Sequence, residues 1–168
     1  METVISTLIV AALIILAVVG LSQTSLSAQS TIAQSTGLMQ ERAGDRARTS
    51  LTAVSAQTTP LGDAVQITLK NTGSTKLATF NEWDVILQYS DGTSNHAQWY
   101  PFGSGVNQWS EQLYQVVPTP EAIDPGIFDP GEEMVVTVNV SPAVGIGTTN
   151  VAVVSAPNGI TASAIFQH

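Results

Sequence analysis

An apolar segment at the N-terminus, residues 4–21 (VISTLIVAALIILAVVGL), constrains the fold of this chain more than any other feature. The segment has no charged residue, and the first lysine or arginine of the chain is Arg42. As an α-helix, a segment of this length spans most of the roughly 30 Å hydrocarbon core of a bilayer. It lacks the basic flank that orients a signal peptide or a membrane anchor. Its apolar surface therefore needs a cover, and the simplest cover is the same helix from many copies of the chain.

The helical pattern continues beyond the apolar segment. Apolar residues recur three and four positions apart from Val4 to Val18, nearly all round the predicted helix. After Gly20 a narrower apolar stripe continues to Met39 among serine, threonine and glutamine residues. We predict that residues 1–50 form a first domain, a single helix about 70 Å long, which far exceeds the thickness of a bilayer.

From residue 51 onwards the sequence has the two-residue alternation of β-strands, separated by Asp-Gly, Asn-Gly and Asp-Pro-Gly turn signals. The predicted strands are 51–58, 64–71, 83–90, 95–101, 111–117, 133–140, 149–156 and 160–166. Residues 101–131 are predicted to be a long exposed excursion with aromatic anchors. This spacing favours an immunoglobulin-like β-sandwich or barrel as a second domain, residues 51–168. The predicted fold class is therefore α+β, a long hydrophobic helix followed by a β-sandwich.

The distribution of charge excludes one class of partner. The formal net charge is −8, and from Ser50 onwards two lysines face ten acidic residues. An acidic surface repels phosphate groups, so nucleic-acid binding is not expected. The chain has no cysteine, which excludes disulfides and thiolate chemistry.

Candidate catalytic and metal-binding residues are sparse. His96 and His168 lie far apart, and no serine has the Gly-x-Ser-x-Gly context of a nucleophile. Four acidic residues lie near glycines, but they lack the spacing of a calcium-binding EF-hand loop and are predicted to form turns: Asp124, Asp129, Glu132 and Glu133. We therefore expect no enzymatic activity, no cofactor and no metal site.

Four segments of the second domain come after the helix in a fixed order: ITLKNTGSTKL (67–77), WDVILQYSDGT (83–93), FDPGEEMVVTVNV (128–140) and VAVVSAPNGITASAIF (151–166). The apolar helix resembles the mature end of type IV pilin-like proteins. The ordered β-segments are similar to those of archaellins and of accessory proteins of the archaellum, the archaeal flagellum. Bacterial pilins usually have glutamate at the fifth mature position, where this chain has Ile5, so the resemblance is to the archaellin type.

The resemblance implies a subunit of an extracellular, cell-surface helical filament that serves motility, with adhesion left open as a further role. Many copies would pack their helices in the core and place their β-domains outside. The resemblance also implies a stage in the cytoplasmic membrane, a leader peptidase, and a separate assembly motor or platform. Because a basic leader segment is missing, we expect Met1 to follow a cleaved leader; the alternative, that Met1 is the initiator, stays open.

The residues expected to pack in the filament core share the apolar face of the helix. They are Val4, Leu8, Ala12, Ile15, Val19 and Leu26.

An alternative function from another class is that of a membrane-anchored accessory or stator protein. Its β-domain would bind a partner in the cell envelope, such as a surface layer.

Charged residues at both ends of the helix are candidates for pairing between subunits. Glu2 is expected either to pair with a neighbouring subunit's N-terminal amine or to be solvated at the helix N-terminus. Arg42, Arg46 and Arg48 are expected either to pair with acids of the next subunit or to form a solvated helix end. In addition, Asn139 begins an Asn-Val-Ser acceptor pattern for N-glycosylation.

Overall fold

Helix α1 runs without interruption from Glu2 to Arg48 in the computed structural model, which describes residues 2–122 and 124–168. The side chain of Glu2 lies outside the described part, so its role in charge pairing stays a prediction. The chain divides after Ala43 into two compact units, and the last turn of α1 belongs to the second unit with the strands. The predicted single long helix is confirmed.

Nine strands lie in the described residues after α1: β1 (Leu51–Thr58), β2 (Ala64–Asn71), β3 (Asp84–Ser90), β4 (Asn95–Tyr100), β5 (Trp109–Val116), β6 (Thr119–Pro120), β7 (Glu133–Asn139), β8 (Thr149–Ser155) and β9 (Thr161–Gln167). They form two antiparallel sheets. The first sheet has the order β1-β2-β7-β5-β6, and the second has the order β4-β3-β8-β9. The predicted α+β fold class is therefore confirmed.

The core lies between the inner faces of the two sheets. In the first sheet, β2 and β7 align apolar residues directly opposite each other, for example Val65 with Val138 and Ile67 with Val136. These side chains are fully buried, as are inward residues of the second sheet such as Leu87. The alternation seen in the sequence therefore marks the faces that the sheets bury against each other.

Residues 101–131 are mostly exposed or half-buried, as predicted, and the predicted strand 111–117 is present within them as β5. Strand β5 begins at Trp109 and lies between β7 and β6 within the first sheet. The side chains of Trp109 and Phe128 are fully buried, and the backbone of Phe128 pairs with that of Leu77. Trp109 and Phe128 are thus the buried aromatic anchors of this segment, whereas the position of β5 within the sheet was not predicted because it depends on pairing with the distant β7.

The end of α1 is joined to the β-domain by backbone hydrogen bonds. The Ser74 amide donates to the Arg48 carbonyl at 2.9 Å, which satisfies one of the carbonyls left free at a helix C-terminus. A Cβ atom at Gly73 would lie 2.5 Å from that same oxygen, so only glycine fits there. The buried Thr49 accepts a hydrogen bond from the Asn158 amide at 2.7 Å. Two of the predicted turns, at 71–73 and 158–159, therefore hold the helix terminus.

Candidate assembly surface

The apolar surface of α1 is uncovered within a single chain. Every large apolar side chain from Val4 to Leu21 is at least 48% exposed. All six residues predicted to pack in a filament core are exposed: Val4, Leu8, Ala12, Ile15, Val19 and Leu26. The helix is also long and apolar enough to cross a membrane, judged by its length and composition.

This exposure has a large cost in water. Burying one large aliphatic side chain is worth about 1.5–3 kcal/mol, so covering the whole segment is worth on the order of 10 kcal/mol or more. Contiguous apolar surfaces of this kind mark sites of protein or membrane interaction. The first unit of the chain is thus a surface for lipid or for other helices.

Many hydroxyl groups along α1 donate to carbonyls of the helix itself. Ser22 donates to the Val18 carbonyl at 2.9 Å, and Thr24 donates to the Gly20 carbonyl at 2.6 Å. The same four-residue back-bonding continues at Thr31, Ser35 and Thr36. Such hydroxyls enter an apolar environment without leaving an unpaired donor, which suits membrane helices and close helix packing. This back-bonding was not predicted for the serine- and threonine-rich half of the helix.

The three arginines near the end of α1 have different environments. Arg48 donates to Asp45 at 2.7 Å, in an exposed pair three residues apart. No carboxylate among the described residues lies within ion-pair distance of Arg42 or Arg46. Exposed pairs of this kind contribute about 0–1 kcal/mol. Pairing of these arginines with acids of a neighbouring subunit stays a prediction.

His96 lies on β4, close to the turn between β3 and β4. Its ring lies 2.9 Å from the Asp91 carboxylate and stacks on Tyr89, with ring centres 5.0 Å apart. The hydrogen bond from His96, with the backbone amides of Ser94 and Thr93, holds the pKa of Asp91 well below its usual range. This cluster stabilises the Asp-Gly turn that closes the hairpin.

The predicted acidic quartet is divided between two places. Glu133 accepts a hydrogen bond from the Val117 amide, whereas Asp124 and Asp129 lie 3.7 and 2.9 Å from the Lys76 ammonium.

Glu121, absent from the predicted set, joins Asp129 and Glu132, and one oxygen from each lies within 4.8 Å of the others. Such a donor set can bind a divalent cation. Lys76, however, already supplies a positive charge to Asp129. The hydrogen bond to Asp129 is the main cause that raises the pKa of Lys76.

Glu121 is destabilised in its charged form. Both of its carboxylate oxygens are inaccessible to solvent and lack a hydrogen-bond donor among the described residues. Burial, followed by the charges of Glu132 and Asp129, raises the pKa of Glu121. The folded state therefore binds this proton more tightly than the unfolded state, and stability falls as pH rises through the raised pKa.

We expect Glu121→Gln to raise the melting temperature at pH 7 by about 1–4 °C and to have little effect at pH 4, where the native carboxyl is protonated. Thermal unfolding followed by circular dichroism at both pH values measures the effect. Glu82→Gln, a change at an exposed position, is the control. An equal gain at pH 4 and pH 7 would contradict the assignment of the effect to ionisation.

Asn139, the predicted glycosylation acceptor, lies at the end of β7. Its side-chain amide donates to the Gly105 carbonyl at 3.1 Å and is half-buried. The glycan would have to be attached to the nitrogen that makes this contact. Glycosylation of Asn139 stays a prediction.

Comparison with solved structures shows that the fold resembles that of archaellum proteins. No protein-family model and no curated protein matches the chain. The archaeal flagellum of Methanospirillum hungatei strain JF1 matches with a TM-score of 0.61 at 12% identity, over 96% of this chain and 90% of that chain. Archaeal flagellin FlaB1 from Methanocaldococcus jannaschii matches with a TM-score of 0.54 at 13% identity, over 70% and 88%.

The archaellum periplasmic stator protein FlaG from Sulfolobus acidocaldarius matches with a TM-score of 0.51 at 19% identity, over 70% of this chain and 99% of that chain. The fold therefore resembles that of archaeal flagellins and of FlaG, as the sequence motifs predicted. The match to the Methanospirillum hungatei flagellum includes nearly the whole chain, and thus the helix as well as the β-domain.

Proposed function

We propose that this chain is the repeating subunit of an extracellular helical filament of the archaellum type. The observation that carries the proposal is the helix of 47 residues whose apolar side chains have no cover within the chain. Packing against copies of itself covers such a helix on all sides. Contacts that repeat head to tail without closing into a ring produce an open fibre.

The length of the helix favours a filament over an anchor. A bilayer core covers about 20 residues of a helix, and the remaining turns of an anchor lie in water. In this chain Leu26, Ile32, Leu38 and Met39 continue the exposed apolar surface far beyond that length. A core of packed helices covers these residues, whereas a membrane anchor leaves them in water.

Assembly would begin in the cytoplasmic membrane, where lipid covers the apolar segment. Lipid is as apolar as the helix, so the transfer into the filament gains little from the hydrophobic effect. Close packing between helices must supply the driving force. An assembly motor or platform and a leader peptidase are the further partners of this proposal.

We propose no catalytic role for the chain. The His96 ring pairs with Asp91 in a turn, and the His168 ring contacts the Val144 carbonyl at 2.8 Å. Each histidine thus has a structural contact.

The alternative, a membrane-anchored accessory protein that binds a cell-envelope partner, is supported by the similarity of the β-domain to the stator protein FlaG.

Electron microscopy of purified surface filaments, with mass spectrometry of their main component, distinguishes the two functions. We expect this chain to be the main component, and we expect its deletion to remove the filaments. Restoring the deleted gene is the control. Filaments that persist after deletion, together with a trace amount of the chain in membranes, would favour the accessory function.

A further inference from the structure

The outer face of the second sheet has a cluster of apolar residues among polar ones such as Gln88 and Ser163. We name as the apolar face five outward-facing residues on its four strands: Ile86, Trp99, Val151, Val153 and Ile165. They are neighbours, because β3 aligns Ile86 with Trp99 and with Val153, and β8 aligns Val151 with Ile165. Trp99 is 53% exposed and Ile165 is 70% exposed.

The two sheets differ in the alternation of their strands. Outward positions of the first sheet are mostly polar, for example Gln66, Thr68, Thr137 and Gln112, with Val135 as an apolar exception. An antiparallel sheet with one face in water normally has this pattern, and a sheet covered on both faces does not. Strand β8, with its run of four apolar residues 151–154, has the pattern of a strand covered on both sides. The apolar face is therefore built for a contact.

The charge of this surface selects its occupant. Asp84 is the only lysine, arginine, aspartate or glutamate in the four strands of the second sheet, and its carboxylate accepts a hydrogen bond from the Trp99 indole at 2.8 Å. The chain as a whole has a net charge of −8, so copies of it repel one another through most of their surface. A face whose only acidic residue is Asp84, at the start of β3, is where two such copies approach with least repulsion. A basic partner would instead be drawn to the acidic cluster at Glu121, Asp129 and Glu132.

One edge strand of this sheet, β4, is also unpaired on one side among the described residues. Among the described residues β4 pairs only with β3, so its other side has no strand partner. No lysine, proline or acidic residue lies within Asn95–Tyr100, although natural proteins commonly place such residues on edges to prevent pairing. Trp99 on this strand belongs to the apolar face. The face and the open edge are thus continuous.

The size of the face fits a contact between tethered copies. Its exposed area is on the order of a few hundred Å², whereas a stable interface between free proteins buries about 800 Å² on each partner. Copies held together by their helices experience effective concentrations in the millimolar range, at which a small contact forms.

We propose that the apolar face is a lateral contact between the β-domain of one copy of this chain and that of a second copy. This inference rests on the proposed function, because packed helices supply the tether.

Photo-crosslinking in intact cells tests the contact. The chain has no cysteine, so Ile165→Cys in the full chain introduces a single site for a maleimide-benzophenone probe. Gln112→Cys, on the polar outer face of the first sheet, is the matched control. We expect irradiation to give an adduct of two chains from Ile165→Cys in roughly tenfold higher yield than from Gln112→Cys. Mass spectrometry should locate the second attachment within residues 51–168 of the other copy.

The outcomes separate this contact from the proposed function. An adduct with a different protein, no adduct, or equal yields from both sites would overturn the contact. If filaments contain the chain while Ile165→Cys gives no two-chain adduct, the contact alone is wrong. If surface filaments lack the chain, the proposed function is wrong, whatever the cross-linking yields.

Introduction of a charge gives a second measurement. Ile165→Asp adds an acid to the contact in a chain that is already negative, and Gln112→Asp adds the same charge to the polar face. We expect filaments of Ile165→Asp to dissociate at a lower temperature than those of Gln112→Asp. Equal dissociation temperatures would overturn the contact.

Discussion

Cells that produce the Ile15→Asp variant are expected to assemble no filaments, while the β-domain of the variant stays folded. Ile15 lies within the apolar segment and is 63% exposed in the single chain. A carboxylate at the centre of a membrane helix costs about 2.5–3.5 kcal/mol, and one in a dry protein core costs several kcal/mol. Each added subunit carries this cost again. Because one lost contact is repeated in every copy, a small cost per chain prevents polymer growth.

Electron microscopy of the cell surface measures the result, and immunoblotting of membranes shows whether the chain is made. Ile15→Val is the matched control, since it keeps an apolar β-branched side chain and removes only one methylene group. We expect Ile15→Val filaments to be normal. Normal filaments from Ile15→Asp would contradict packing of α1 in the filament core. A lack of filaments from both variants would attribute the effect to volume rather than charge.

Asn71→Asp is expected to lower the free energy of unfolding of the β-domain by about 3 kcal/mol or more, which is large compared with the effect of most single substitutions. Asn71 is completely buried at the end of β2. Its amide nitrogen donates to the carbonyls of Thr75 and Phe128, each at 2.9 Å, and its side-chain oxygen accepts from the Gly73 amide. Aspartate has nearly the same shape, but it would place an acceptor against two carbonyl oxygens in a buried site.

Thermal or urea unfolding of the full chain in detergent, followed by tryptophan fluorescence, measures this loss. Asn81→Asp is the matched control, because Asn81 is exposed in the short 3-10 turn Phe80–Glu82. We expect the control to change the free energy of unfolding by less than about 0.5 kcal/mol. Similar losses in both variants would show that the contacts of Asn71 with the two carbonyls are not the source of the stability.

The sequence and the structure agree best where the determining interactions are local. The bounds of β1 and β2 were predicted to the residue. In β2 the alternation is regular, and the turn signal at 71–73 marks the end of the strand. The predicted turn at 71–73 is present as well. Its role in joining Phe128 to β2 could not be read from the sequence, since Asn71 and Phe128 are 57 positions apart.

The two assembly surfaces differ in the same way, because one could be predicted from local sequence and the other could not. The exposed apolar residues of α1 were identified from their spacing alone, since a helix of this composition exposes them whichever domain is attached to it. The apolar face of the second sheet was not identified. Alternation was expected to separate core from solvent, and the run of valines in β8 gave no sign of which neighbours would extend it.

The sequence by itself was sufficient to predict the long helix and the positions of β1 to β5 and β7 to β9. It also shows that no lysine or arginine precedes Arg42. Helical and strand periodicity depends on neighbouring residues, so it is legible in one chain. The order of strands, the burial of Trp109 and Phe128, and the alignment of Ile86 with Trp99 and Val153 depend on pairing between distant segments. These features were known only from the tertiary structure. The free energy of a long-range contact depends on both segments at once, so neither segment shows it as a periodic pattern in its own sequence.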